Sequence, residues 1–124
     1  MAKYINPNII DLALNDIKTN ANKMVLCTQQ PTSYTEANAT YALASVAMTS
    51  ADYTLANGDT SGRKITVAAK SAVPVTTSGS GTHVALIDTT NSILKFVTTT
   101  ATTAVAAGGT VDIGSWKDEI QNPT

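Results

Sequence analysis

The sequence predicts a mainly β protein: a small antiparallel β-sandwich or jelly-roll-like domain preceded by a short N-terminal α-helix. Three observations carry this. Short apolar or alternating runs recur between turn residues at roughly the 8–12-residue rhythm of sandwiches. Threonine, whose branched Cβ suits an extended backbone, supplies 21 of the 124 residues. The one stretch with clear helical periodicity lies at the N-terminus. A chain of this length builds one core, so residues 1–22 (arm and helix) and 23–124 (sandwich) are expected to form one structural unit.

The helix is expected over residues 7–20. Asn6 suits the N-cap and Pro7 the first helical position, where its missing N–H costs nothing. Ile9, Ile10, Ala13, Leu14 and Ile17 recur at helical spacing and define an apolar face. So short a helix is marginal alone in water and must dock. Lys23–Thr28 reads as a buried strand. Ser33-Tyr34-Thr35-Glu36 has capping-box spacing and predicts one helical turn. Tyr41–Met48 is assigned as strand.

From Asp52 onward strands and turns alternate. Tyr53–Leu55 leads into Asn57-Gly58, a hairpin-turn signal. Arg63–Lys70 alternates, with Ile65, Val67 and Ala69 on one side. Val73–Thr77 is a further strand, in which Pro74 argues for an edge or a bulge. Ser78–Gly81 reads as a flexible turn. His83–Asp88 looks buried on both faces, Ile93–Thr98 follows a turn, and the Thr/Ala-rich run to Val105 continues as strand with an exposed face. Thr110–Ile113 and Trp116–Ile120 complete about eight strands.

Composition narrows the function. Charged residues make up 14% and the net charge is −1, so no basic surface for nucleic acid is implied. No apolar run approaches the roughly 18–20 residues that span a bilayer, so no membrane partner is expected. No export signal is legible behind Met1, which points to synthesis in a cytoplasm. A surface this poor in charge and rich in Thr and Ala favours extensive contact with other subunits, because little charge must be desolvated. A homo-oligomer, trimer or dimer, is expected.

Enzyme constellations are thin, and no catalytic residue, cofactor or metal is assigned. One Cys and one His exclude an internal disulfide framework and argue against a Cys/His zinc site. His83 reads as a histidine at a strand start, and Cys27 as a small buried hydrophobe. Asp118 and Glu119 are adjacent and point to opposite faces of a strand. Trp116 is assigned to the core in preference to an interface. The candidate interface comprises Tyr4, Ile5 and Ile9: the apolar residues of the arm, Ala2–Asn8, and of the helix start.

Tyr4-Ile5-Asn6 with its helix, the run Lys23–Ala37, the segment Asn57–Lys64, Gly81–Asp88 and the closing Trp116–Ile120 together resemble a group of small tailed-bacteriophage virion proteins. The resemblance implies a structural component of the particle, a capsid decoration (cement) protein. Such a protein would sit on the capsid exterior, assembled in the host cytoplasm. It would bridge subunits of the major capsid protein and copies of itself. It implies no catalytic residue. The alternative is a tail or head fibre module that binds host surface glycan, for which an exposed aromatic platform would be needed.

Overall fold

The computed structural model describes residues 3–124. Helix α1 spans Pro7–Asn20. The Asn6 side chain accepts from the Asn8 N–H at 2.9 Å, which satisfies one of the donors a helix start leaves over. Pro7 opens the first turn as expected. The chain leaves the helix at Ala21, whose N–H donates to the Ile17 carbonyl at 2.9 Å.

Among the described residues nine strands follow: β1 (Lys23–Cys27), β2 (Ala42–Ala47), β3 (Tyr53–Asn57), β4 (Arg63–Val67), β5 (Lys70–Pro74), β6 (Gly79–Asp88), β7 (Ile93–Val105), β8 (Thr110–Ile113) and β9 (Trp116–Ile120). They form three antiparallel sheets, ordered β2-β1-β6-β7, β3-β4-β9 and β5-β8. The mainly β, sandwich-like architecture with one short N-terminal helix is therefore the one the sequence predicts.

Side-chain alternation places the core. Met24 and Leu26 of β1 and Val84 and Leu86 of β6 face inward. They meet Ile10, Leu14 and Ile17 of α1, Tyr53, Ile65 and Val67 of the second sheet, and Val73 and Ile113 of the third. The helix thus belongs to the same core as the strands. The intervening residues Val25, Cys27, Ala85 and Ile87 face the other way into a second cluster under Ala37, flanked by Tyr34 and Tyr41. The segment between β1 and β2 covers that face. It contains a π-helical turn, Glu36–Thr40. Ser33 Oγ accepts from the Glu36 N–H at 3.2 Å, as the capping-box spacing predicts, but the Glu36 carboxylate reaches the Thr32 N–H and hydroxyl, each at 2.8 Å.

Three expectations need correction. Arg63–Lys70 is not one strand. After Val67 the Ala68 N–H turns to the Asp52 carbonyl at 2.8 Å, and Lys70 starts β5 in a different sheet, its ammonium 2.9 Å from Asp52. β3 and β4 do pair as the hairpin that Asn57-Gly58 signals, with Asn57 opposite Arg63. A longer loop closes through Gly58 N–H to the Gly62 carbonyl at 2.9 Å, with the left-handed backbone at Gly62 (φ 67). A Cβ there would lie 1.9 Å from the Ile120 carbonyl oxygen. Gly79–Gly81 is the start of β6 and not a turn. At Gly81 a Cβ would come within 2.7 Å of the Leu26 side chain, so the glycine serves close packing. Finally, β5 stops at Pro74, and Val75 makes a single bridge to Ala44.

Tyr53 joins helix to sheet. It is almost wholly buried, and its hydroxyl donates to the Ala21 carbonyl at 2.7 Å. Tyr53→Phe keeps the ring but orphans that buried acceptor. It should cost about 1–3 kcal/mol, measured as a lower denaturant midpoint at unchanged m-value.

Asp59, in the β3–β4 loop, carries a pH dependence. Ion pairs with Lys117 and with Lys64 (2.6 Å for the latter) lower its carboxyl to about 2. A depressed carboxylate stabilises the fold above its unfolded value of about 3.9, and that contribution disappears as pH falls through the folded value. The melting temperature of the wild type should therefore exceed that of Asp59→Asn at pH 6, and the gap should close between about pH 4 and pH 2.

Candidate functional site: the outer side of the N-terminal helix

An apolar stripe buried on one side of a helix usually faces polar residues on the other. In α1 it does not. Ile10, Leu14 and Ile17 are buried, yet Ile9 is 56% and Leu12 68% exposed, and Tyr4 in the preceding arm is 81% exposed. Two of the predicted interface residues, Tyr4 and Ile9, therefore lie open to solvent. The third does not: Ile5 is partly buried and packs against the main core, so it anchors the arm and presents no surface. Ala2 lies outside the described residues. Ile9 and Ala13 were expected on the docked face, but both are exposed. Leu12 was missed by the sequence reading, although its position three residues after Ile9 was the available signal.

The helix that carries this surface is fixed from several directions. Arg63 Nε lies 2.8 Å from Asp11 Oδ1, and Lys95 Nζ lies 2.8 Å from Asp16 Oδ2. The Lys18 ammonium donates to the carbonyls of Ser50 at 2.9 Å and Tyr53 at 2.8 Å. The Lys95 ammonium and the Asn20 amide hold the Asp16 carboxyl below its ordinary range. The apolar residues thus stand on a rigid base, which lowers the ordering cost of any contact they make.

Cations elsewhere are also engaged within the chain. Lys23 donates to Asn38 at 3.0 Å, Lys64 and Lys117 clasp Asp59, and Lys70 pairs with Asp52. These pairs neutralise charge locally and leave no basic stripe that would track a phosphate backbone. Among the described residues no helix is long and apolar enough to cross a membrane.

The residues with reactive side chains are brought together in one instance. Cys27 on β1 and His83 on β6 are register partners. His83 lies inside a strand and not at its start, with Nδ1 2.9 Å from Thr82 Oγ1. Cys27 is fully buried, its sulfur nearest the Val25 and Ala37 carbonyls at 3.9 and 3.8 Å, and burial pushes the thiol up to about 11. A nucleophilic cysteine needs the opposite shift. On β9, Glu119 is held low by the Thr60 N–H at 2.9 Å, while burial raises Asp118. The two carboxyls do different work and form no pair. Among the described residues no cluster of three or more potential metal ligands occurs.

Trp116 is partly buried and stacks on Phe96, with centroids 5.8 Å apart and an 18° interplanar angle. It joins β9 to β7 across the sandwich, in keeping with a core role. Its indole Nε1 is buried without a hydrogen-bond partner. A cavity of about 150 Å³ lies beside it, lined by Val84, Thr98–Thr100 and Ile113–Trp116.

Burial of Cys27 has a direct readout. An aromatic disulfide reagent at pH 8 should leave the folded protein unlabelled, and label the thiol fully once guanidinium unfolds it; rapid labelling of the native chain would contradict the packing described. Compared with protein-family models, curated proteins and solved structures, the chain matches none.

Proposed function

We propose that this protein is a structural component of a tailed-bacteriophage particle: a decoration (cement) protein that binds the outer capsid surface. It bridges subunits of the major capsid protein and associates with copies of itself. The resemblance of the segments quoted above suggests the class. The observation that carries the reading is the exposed apolar set Tyr4, Ile9 and Leu12, held on a helix whose other side is locked into the core.

The mechanism is thermodynamic. Packed DNA presses outward on a thin shell. A protein that binds neighbouring shell subunits only when they are assembled shifts the equilibrium toward the intact shell by mass action. Apolar side chains suit the task because contact removes their area from water at roughly 25 cal/mol per Å². Weak surface charge suits it too, since fewer ions must lose their hydration. The glycan-binding alternative draws less support: the sole tryptophan is committed to Phe96, which leaves Tyr4 as a single strongly exposed ring and no platform of several.

The test is reconstitution. Purified protein should saturate phage heads that lack it and raise the temperature at which they release DNA. The double variant Ile9→Ser/Leu12→Ser leaves the buried stripe intact, so it should fold normally. It should lose head occupancy by at least about tenfold, since two large apolar side chains leave the contact. Undiminished occupancy by a folded double variant would remove this face from the mechanism. A wild type that ignores heads but binds host glycan saturably would overturn the proposal in favour of the fibre module.

A further inference from the structure

We infer that the outer edge of β7 is a self-pairing edge, at which two copies of this chain join antiparallel about a two-fold axis through Ala101. The inference concerns the purified chain and stands whether or not the protein decorates a shell.

The geometry of the first sheet supplies the template. β7 is 13 residues long and hydrogen-bonds along one side, to β6. Among the described residues no strand pairs with its other side. That leaves a row of backbone donors and acceptors open to a further strand. The opposite edge of the sheet is treated differently. There Val75 bridges to Ala44, and the N–H groups of Thr76 and Thr77 donate to the Leu43 carbonyl at 2.8 and 3.2 Å. One edge is covered by the chain itself, and the other is not.

Sequence features say what the open edge accepts. Proteins usually guard such an edge with charge, proline or a bulge. Between Lys95 and Asp112 there is neither charge nor proline. Thr99 to Ala104 are all exposed. The register slips after Leu86, and Thr100–Thr102 stand together opposite Thr82, so β7 bulges there and its regular segments lie on either side.

The nine residues Val97–Val105, VTTTATTAV, read almost identically in both directions. An isologous contact requires a patch complementary to itself. With Ala101 and the bulge on the axis, Val97 faces Val105 of the second copy and Thr99 faces Thr103. Only Thr98 opposite Ala104 joins unlike residues. Threonine pairs directly across antiparallel strands are favourable, and like charges there are not. Nothing in the rest of the edge selects a foreign strand over this one.

The test reads mass and register together. Sedimentation equilibrium of the wild type, up to about 1 mM so that even a weak pair is populated, should show a species of twice 12.8 kDa. Thr99→Lys/Thr103→Lys sets lysine against lysine at both ends of the contact and should return the chain to monomer. Thr99→Lys/Thr103→Glu sets lysine against glutamate at the same two places and should restore the dimer, because residues 99 and 103 face each other only in this register. Far-UV circular dichroism and melting temperature confirm that each variant is folded.

Ala101→Cys, on the axis, should cross-link to a disulfide dimer on mild oxidation, with Cys27 buried and out of reach. A wild type that stays monomeric throughout overturns the proposal and leaves the edge to a strand of another protein. A dimer that survives the double lysine variant, or one that the Lys/Glu variant fails to restore, overturns this interface. Dimer formation by a chain that does not bind heads would sustain this inference and remove only the capsid reading.

Discussion

Burial of one side of α1 is the constraint on which the rest of the architecture depends. Ile10, Leu14 and Ile17 meet side chains from all three sheets in one cluster. An isolated 14-residue helix would be marginal in water. Here its apolar stripe supplies the contact that also closes the core between the sheets. Polar ties then set its position. The Tyr53 hydroxyl takes up the Ala21 carbonyl just beyond the helix end, and Lys18 takes up two carbonyls near the start of β3. The bond to the Ala21 carbonyl is buried, and there an unmade hydrogen bond costs more than a made one gains. The helix therefore cannot roll, and its outer residues keep one orientation relative to the sheets.

A second consequence follows from the first sheet being buried on both faces. Its central strands, β1 and β6, alternate between two apolar clusters. Met24–Cys27 of β1 and Val84–Ile87 of β6 are therefore small or medium apolar residues throughout. The single cysteine falls in the second cluster, under the segment that holds Ala37, and its chemistry is suppressed by its packing. Full burial also demands close approach, which explains a glycine at 81 where β6 crosses Leu26. The cavity beside Trp116 is small and lined mainly by hydroxyl and apolar groups.

The fold class and most elements were legible because they rest on local signals. Asn6-Pro7 marks the helix start, and alternation marks β4 through Val67. The failures share one cause: information that is not local. Ile9 and Ile10 are adjacent and both apolar, so periodicity alone does not say which side of the helix docks. The sheet decides, and it takes Ile10. Glycines at 79 and 81 look like a turn unless one knows that Leu43 lies against the first and Leu26 against the second. Alternation runs past Val67 into Ala69, but the carbonyl of Asp52 captures the Ala68 N–H and redirects the chain. Of the exposed apolar residues, Tyr4 was legible from its place in a loose arm, whereas Ile9 was expected on the docked face. Leu12 was not legible as exposed, because a leucine inside an amphipathic helix is ordinarily assigned inward.

Low charge is the remaining thread, and its arrangement matters more than its amount. Arg63, Lys95, Lys64, Lys70 and Lys117 each face a carboxylate of the chain itself. Exposed pairs of this kind contribute little stability. Their effect is to hold charge at fixed places: the Thr-rich half of β7 stays uncharged, while the Lys95–Asp16 pair borders the Ile9–Leu12 stretch of the helix. Those stretches are separate. Lys95, near the start of β7, bonds to Asp16 of the helix, whereas the uncharged half of the strand runs on to Val105 beside the first residues of β6. A surface divided in this way lets two contacts form without competing for the same atoms. Two copies joined along β7 would carry two helix faces, and engaging both on one surface would multiply affinity through effective concentration with no new contact.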